Sequence, residues 1–182
     1  NESGARQRAD QIVQMCGGQA LGIFGDVTKK QSIEEAKKEI EKQFGQVAIL
    51  INNAANDPKV TSDPNQVPWS RFEQFPEGVW LDDIAVGLTG AFLCSQVFGS
   101  DMAMRGKGVI VNIASDLGVI APDQRIYEKE NTPEDKQSVK PVTYSVVKHG
   151  LIGLTKYLAT YWATHGVRVN AISPSGVFNN HP

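Results

Sequence analysis

Cysteine is nearly missing from this chain: 182 residues hold two, Cys16 and Cys94, far apart and in small or apolar surroundings. That excludes a disulfide framework and suits packed thiols in a reducing compartment, so a cytoplasmic protein is the expectation. A charge excess of either sign is lacking too, since 18 Lys and Arg stand against 20 Asp and Glu for a net charge of −2. Such a balance offers no basic surface for nucleic acid, and none is expected as a partner. No unbroken apolar run approaches the ~20 residues that span a bilayer, and no charged-then-apolar leader opens the chain, so no membrane partner is expected either. No internal repeat occurs and no metal site is expected. An initiating methionine is also absent: residues 1–15 already read as an amphipathic helix, and the chain stops at Pro182 just after a strand and a loop. A piece of a longer protein is the expectation.

What is present is an ordinary globular composition, 41% hydrophobic and 21% charged, enough for one domain over residues 1–182. A short apolar run at 20–24 and the segments 47–51, 109–113 and 167–172 read as strands. Helical spacing separates them. Ser32 with Glu35 suggests a capping box, Ile33, Ala36, Ile40 and Phe44 give the apolar stripe, and Gly45 is a stop. Residues 56–76, rich in Pro, Asp and Ser, read as loop, and 77–104 and 143–165 as long helices, the second stopped by Gly166. Strands of continuous Val, Ile and Leu alternating with helices predict an α/β fold, a doubly wound parallel sheet covered on both faces.

In such sheets ligands collect at the carboxyl ends of the strands. Asp26, Asn53, Ser115 and Pro174 all fall there. Tyr144 and Lys148 open the helix that follows Ser115, and side chains at i and i+4 share a helix face. An ammonium near a phenol favours its ionised form, which matters because a free tyrosine, with a pKa of about 10, is a poor base near neutrality. Ser115 is a donor able to hold a carbonyl or alcohol oxygen beside that phenol. The trio suits hydride-transfer chemistry on a small molecule.

With these residues in place, the chain resembles the short-chain dehydrogenase/reductase family over almost its whole length. The matching segments are Asp26-Val27, Asn52-Asn53-Ala54-Ala55, Asn112-Ile113-Ala114-Ser115 with Gly118, Tyr144 to Lys148, and Asn170-Ala171-Ile172-Ser173-Pro174. The resemblance implies a Rossmann-like fold, NAD or NADP as cofactor, and a homo-dimer or homo-tetramer. It implies that Tyr144 is the general acid or base, that Lys148 also holds the nicotinamide ribose, and that Ser115 orients the substrate oxygen. Asp26 and Val27 would meet the adenine, Asn53 would bring its backbone to the cofactor, and Val177 would lie near the carboxamide. The segment after Pro174 and the long Ser-to-Tyr interval further resemble dehydrogenases assigned to flagellin modification and nonulosonic sugar synthesis.

Three departures accompany the likeness. Gly87 stands where the family usually has an asparagine supporting a relay water, which raises a second reading: a catalytically impaired dinucleotide-binding regulatory or scaffold protein. Ser115 and Tyr144 lie 29 positions apart, an interval lengthened by a charged insertion at 122–141 that must start and end beside the site, as a lid or wall or as a solvated surface segment. The insertion's Tyr127 lacks a lysine four residues on and is a poor rival to Tyr144. Finally, no Gly-x-x-x-Gly-x-Gly precedes Asp26, so the first βαβ unit, with its phosphate cradle, is expected to be missing together with the C-terminal end.

Overall fold

A computed structural model describes residues 2–56, 58, 60 and 68–176. Its elements run α1 (Glu2–Cys16), α2 (Lys30–Phe44), β1 (Ile49–Asn52), α3 (Glu77–Met104), β2 (Gly108–Ile113), α4 (Val142–Tyr161) and β3 (Val167–Ile172). The three strands form a parallel sheet in the order β1-β2-β3. Ile110 pairs with Leu50 on one side and Val169 on the other. The Rossmann-like α/β class expected from the sequence is therefore present.

One sheet face forms the core. Ile33 of α2, Cys94, Phe98 and Met102 of α3, Leu158 of α4 and Trp162 just beyond it close over Ile110, Val167 and Val169. Met102 and Ile110 are wholly buried, each contributing roughly 1.5–3 kcal/mol by removal from water. α3 is long and apolar enough by length and composition to cross a membrane; its inward face, with Cys94, Phe98 and Met102, packs in this core. Glycines let α3 and α4 approach closely. A Cβ at Gly87 would stand 2.6 Å from Val147, one at Gly150 would stand 2.8 Å from Leu88, and one at Gly99 would stand 2.6 Å from Trp162.

Three expectations are corrected. The sheet is not covered on both faces among the described residues: α2, α3 and α4 all pack on the Ile110 face, and Ile49, Ile51 and Ile172 on the other are 60%, 60% and 53% exposed. Residues 20–24 form no ladder, because a strand exists only against a hydrogen-bonded partner and the described sheet begins at β1. α1 lies against this segment instead, so close that a Cβ on Gly22 would meet the Ala5 backbone at 2.3 Å. The Ser32–Glu35 capping box is not made, since α2 begins earlier, at Lys30, and the Ser32 hydroxyl accepts the Asp26 amide at 2.9 Å. Gly45 does end α2, with φ 78°.

Candidate active site

A buried polar chain holds the carboxyl edge of the sheet in place. Asn52 Nδ2 donates to Asn112 Oδ1 at 2.8 Å and to Ser95 Oγ at 3.2 Å, and Asn112 Nδ2 donates to Thr155 Oγ1 at 2.8 Å. Those four side chains connect β1, β2, α3 and α4 through the core, where an unpaired amide would cost about 1–3 kcal/mol. Beyond the strands the edges stay together, the Ala114 amide donating to Ile172 O at 2.8 Å and the Asp116 amide to Pro174 O at 3.0 Å. Ser115 and Pro174 are thus neighbours.

α4 enters this edge behind Pro141 and carries Tyr144 and Lys148 in its first turns. Lys148 is only 9% exposed, and its Nζ donates to Ile113 O at 2.8 Å, at the end of β2. The same Nζ stands 5.7 Å from the Tyr144 ring centroid. Burial first, and then the charge of Lys140, push Lys148 below the usual lysine value. Against its backbone sits the turn Asp116–Gly118, where a Cβ on Gly118 would meet Lys148 O at 2.7 Å. Thr143 Oγ1 donates to Asp83 Oδ2 at 2.5 Å, pinning the first turn of α4 to α3.

Tyr144 and Lys148 open into a cavity of about 580 Å³, shared with Gly87, Asp83, Thr143 and Val147 and walled by Ala55, Asn56, Pro58 and Val60 on the β1 side. The insertion lines it as well, through Tyr127, Lys129, Ser138, Val139, Lys140 and Pro141. That segment is tied down: Lys140 N donates to Gln124 Oε1 at 2.9 Å, Arg71 Nη1 to Glu134 O at 2.7 Å, and Gln137 Nε2 to Lys129 O at 2.9 Å. Lys140 Nζ lies over the Tyr144 ring, 3.9 Å from its centroid, in cation–π range. Burial, followed by the charges of Tyr144 and Asp116, raises Tyr127 above the usual tyrosine value, which keeps its phenol a donor.

The remaining expected site residues fall elsewhere. Ser115 is buried just past the end of β2, two residues beyond the Ile113 carbonyl that Lys148 holds, but does not line the cavity. Its hydroxyl donates to Asp116 Oδ1 at 2.8 Å and accepts the Leu117 amide at 3.2 Å. Asp26 caps a turn, its Oδ1 accepting the Thr28 hydroxyl at 2.6 Å and amide at 3.0 Å, bonds that hold this carboxyl below its usual value with Lys29 adding to them. Val27 packs on Gly90, where a Cβ would meet its Cγ2 at 2.8 Å. Asn53 is exposed just past β1, and Val177 lies outside the described residues. Lys140, Asp83 and Thr143 escape a motif reading of the sequence. The one available signal for Lys140 is its place four residues before Tyr144, masked by the intervening Pro141.

A parallel sheet with a Tyr-Lys helix entering its carboxyl edge defines a class of nucleotide-linked α/β proteins, and the comparisons agree. The family model described as short chain dehydrogenase matches residues 1–127, and one described as enoyl-(acyl carrier protein) reductase matches 134–179. The chain belongs to the short-chain dehydrogenase/reductase family. It is 34% identical to an uncharacterized oxidoreductase of Thermotoga maritima, the match covering 90% of this chain and 54% of that protein. With an NAD-dependent glycerol dehydrogenase of Listeria innocua the identity is 32%, over 91% of this chain and 55% of the relative. A short chain dehydrogenase from Leptospira borgpetersenii, solved with bound NAD+, superposes with a TM-score of 0.70 at 35% identity, over 88% of this chain and 55% of that one. The chain spans about half the length of the curated relatives it matches. None of these three names refers to flagellin modification.

Proposed function

We propose that this chain carries the reacting centre of an NAD(P)-dependent oxidoreductase acting on the C–OH or C=O of a polar alcohol or ketone, a sugar derivative among them. The observation that carries the reading is that Tyr144 and Lys148 share one cavity, with Lys148 tied to Ile113 O at 2.8 Å. The names of the Listeria and Leptospira relatives support NAD as the cofactor, with NADP the alternative that the family likeness implies.

The nicotinamide end of such a cofactor suits the residues present. Lys148 has three N–H donors and commits one to Ile113 O, which leaves the others for ribose hydroxyls. The glycine-rich cradle for the pyrophosphate belongs, on this reading, to residues outside this chain. A bound nicotinamide supplies the hydride acceptor, or the hydride itself in the reverse direction. Tyr144 takes the alcohol proton as the carbon–hydrogen bond breaks and returns it during reduction. Lys148 keeps positive charge beside the phenol. Ser115 orients the substrate oxygen once its hydroxyl turns from Asp116, while Asp26 with Val27, Asn53 and Val177 serve the adenine, the cofactor backbone contact and the carboxamide. The insertion 122–141 is the substrate-side wall of the site.

Nicotinamide absorbance, followed with the whole protein and a panel of polyols and ketones, tests the assignment. Tyr144→Phe is expected to lower turnover about 100-fold or more, and full activity in that variant would remove the role given to Tyr144.

One observation favours a second reading, a dinucleotide-binding regulatory or scaffold protein of the same fold: Gly87 presents no side chain to the cavity, and the Ser115 hydroxyl is bound to Asp116. Cofactor binding without turnover on any alcohol or ketone would select it. In either case a homo-dimer or homo-tetramer is proposed, using the outward faces of α3 and α4 that carry Leu81, Phe92 and the stacked Tyr157 and Tyr161. A monomer by sedimentation would overturn that.

A further inference from the structure

We infer that the cavity beside Tyr144 takes a substrate bearing an anionic group, a carboxylate or a phosphate ester, and that Lys140 selects for it. The inference rests on Tyr144 being the reacting residue. Two ammonium groups flank the Tyr144 ring, Lys140 at 3.9 Å from its centroid and Lys148 at 5.7 Å. Neither has a carboxylate within ion-pair distance among the described residues, where every ion pair joins other groups. The cavity holds one described carboxylate, Asp83, and its Oδ2 accepts the Thr143 hydroxyl at 2.5 Å. Like charges gathered in a partly desolvated space repel one another, and an anion between them removes that repulsion. Lys148 is lowered chiefly by burial, and the charge of Lys140 adds to it in the same direction.

The insertion sorts its charges accordingly. Of its charged residues Lys129 and Lys140 line the cavity, whereas Arg125 and Lys136, and all of its acids, Asp123, Glu128, Glu130, Glu134 and Asp135, do not. Lys140 is also held in position, its amide donating to Gln124 Oε1 at 2.9 Å and the preceding amide of Val139 to Ser70 Oγ at 3.5 Å. Tyr127, kept protonated, adds a neutral donor at the wall. A positively lined, anchored wall opposite a proton-transfer group is what an anionic hydroxy or keto compound requires.

The test uses the whole protein and matched substrates: a polyol, its phosphate monoester and its aldonate. The phosphate or the carboxylate form is expected to have a kcat/KM about tenfold or more above the neutral polyol, as a charge-assisted contact allows, with the gain in KM and shrinking as salt rises. Which form gains identifies the anion. Lys140→Gln should collapse the preference and Lys140→Arg retain part of it. Inorganic phosphate or malonate should compete with the neutral polyol in the unsubstituted protein, a readout independent of any variant's folding. Equal turnover of neutral and anionic forms, a preference that survives Lys140→Gln, or absence of competition by both anions would overturn the inference. Tyr144→Phe separates the two readings: retained turnover defeats the catalytic assignment itself, whereas lost turnover together with indifference to charge defeats only the anion.

Discussion

Gly87 and Val147 are in such close contact that a methyl group added at Gly87 would stand 2.6 Å from Val147 Cγ1. Gly87 lies in a π-helical stretch of α3, Ala85–Thr89, whose wider turn redirects the backbone beside the cavity. An asparagine there is therefore not a simple restoration. Gly87→Ala gains about 1 kcal/mol of helix propensity, but overpacking against a buried β-branched side chain costs ~1–3 kcal/mol. A net loss of stability is expected in urea unfolding, recovered in part by Gly87→Ala with Val147→Ala. Gly87→Asn alone should lower activity, and a rise would show that Val147 yields freely.

Asn112 is 0% exposed and links Asn52 to Thr155. Replacing it by alanine strips partners from both and leaves a small void. A loss of about 2–4 kcal/mol is expected, combining an unpaired buried amide with cavity formation. Asn112→Ala with Asn52→Ala should cost less than the sum of the two single changes, because each removes the other's partner. Additive costs in a double-mutant cycle would mean that the amides do not act as a unit.

These two cases mark what the sequence could reveal. β2 and β3 were legible because their Val- and Ile-rich segments belong to strands that find partners. The run at 20–24 has the same side-chain signature, but pairing depends on a neighbour that side chains do not encode. Tyr144 and Lys148 were legible because i, i+4 spacing on a helix fixes adjacency locally. Lys140 was not, since Pro141 breaks the helical period and its position comes from a loop tethered to Gln124. The capture of the Ser115 hydroxyl by Asp116 is likewise a choice of rotamer, which residue type does not fix. The Ser32–Glu35 spacing misled because the turn built by Asp26 and Thr28 lets α2 begin ahead of it.

The two thiols should behave oppositely. Cys16 is exposed, whereas Cys94 is buried in the core and burial pushes its thiol up to about 11. Since the thiolate is the reactive form, a thiol reagent near neutral pH should modify one cysteine per folded chain, at Cys16, and the second only on unfolding. Peptide mapping by mass spectrometry checks this. Labelling of Cys94 in the folded protein would mean that the α3 core opens readily.

Lys148 couples stability to pH in a direction that can be worked out. Its folded-state value lies below the usual 10.5, so between the two values the unfolded chain holds a proton that the folded chain lacks. Stability therefore rises with pH across that window. Below it both states are protonated and the fold bears the full cost of a buried ammonium; above it both are neutral and the cost is gone. In Lys148→Met this contribution is absent, so the stability of the unsubstituted protein minus that of the variant should increase as pH approaches 10.5, other titrations cancelling in the difference. Urea midpoints of both proteins measured in parallel give that quantity, and a flat or falling difference would contradict the burial described for Lys148. The deprotonation that relieves the fold also removes a cation from beside Tyr144, 5.7 Å from its ring. Turnover at saturating cofactor should fall over the pH range in which this contribution to stability rises, an opposition that a purely structural lysine would not produce.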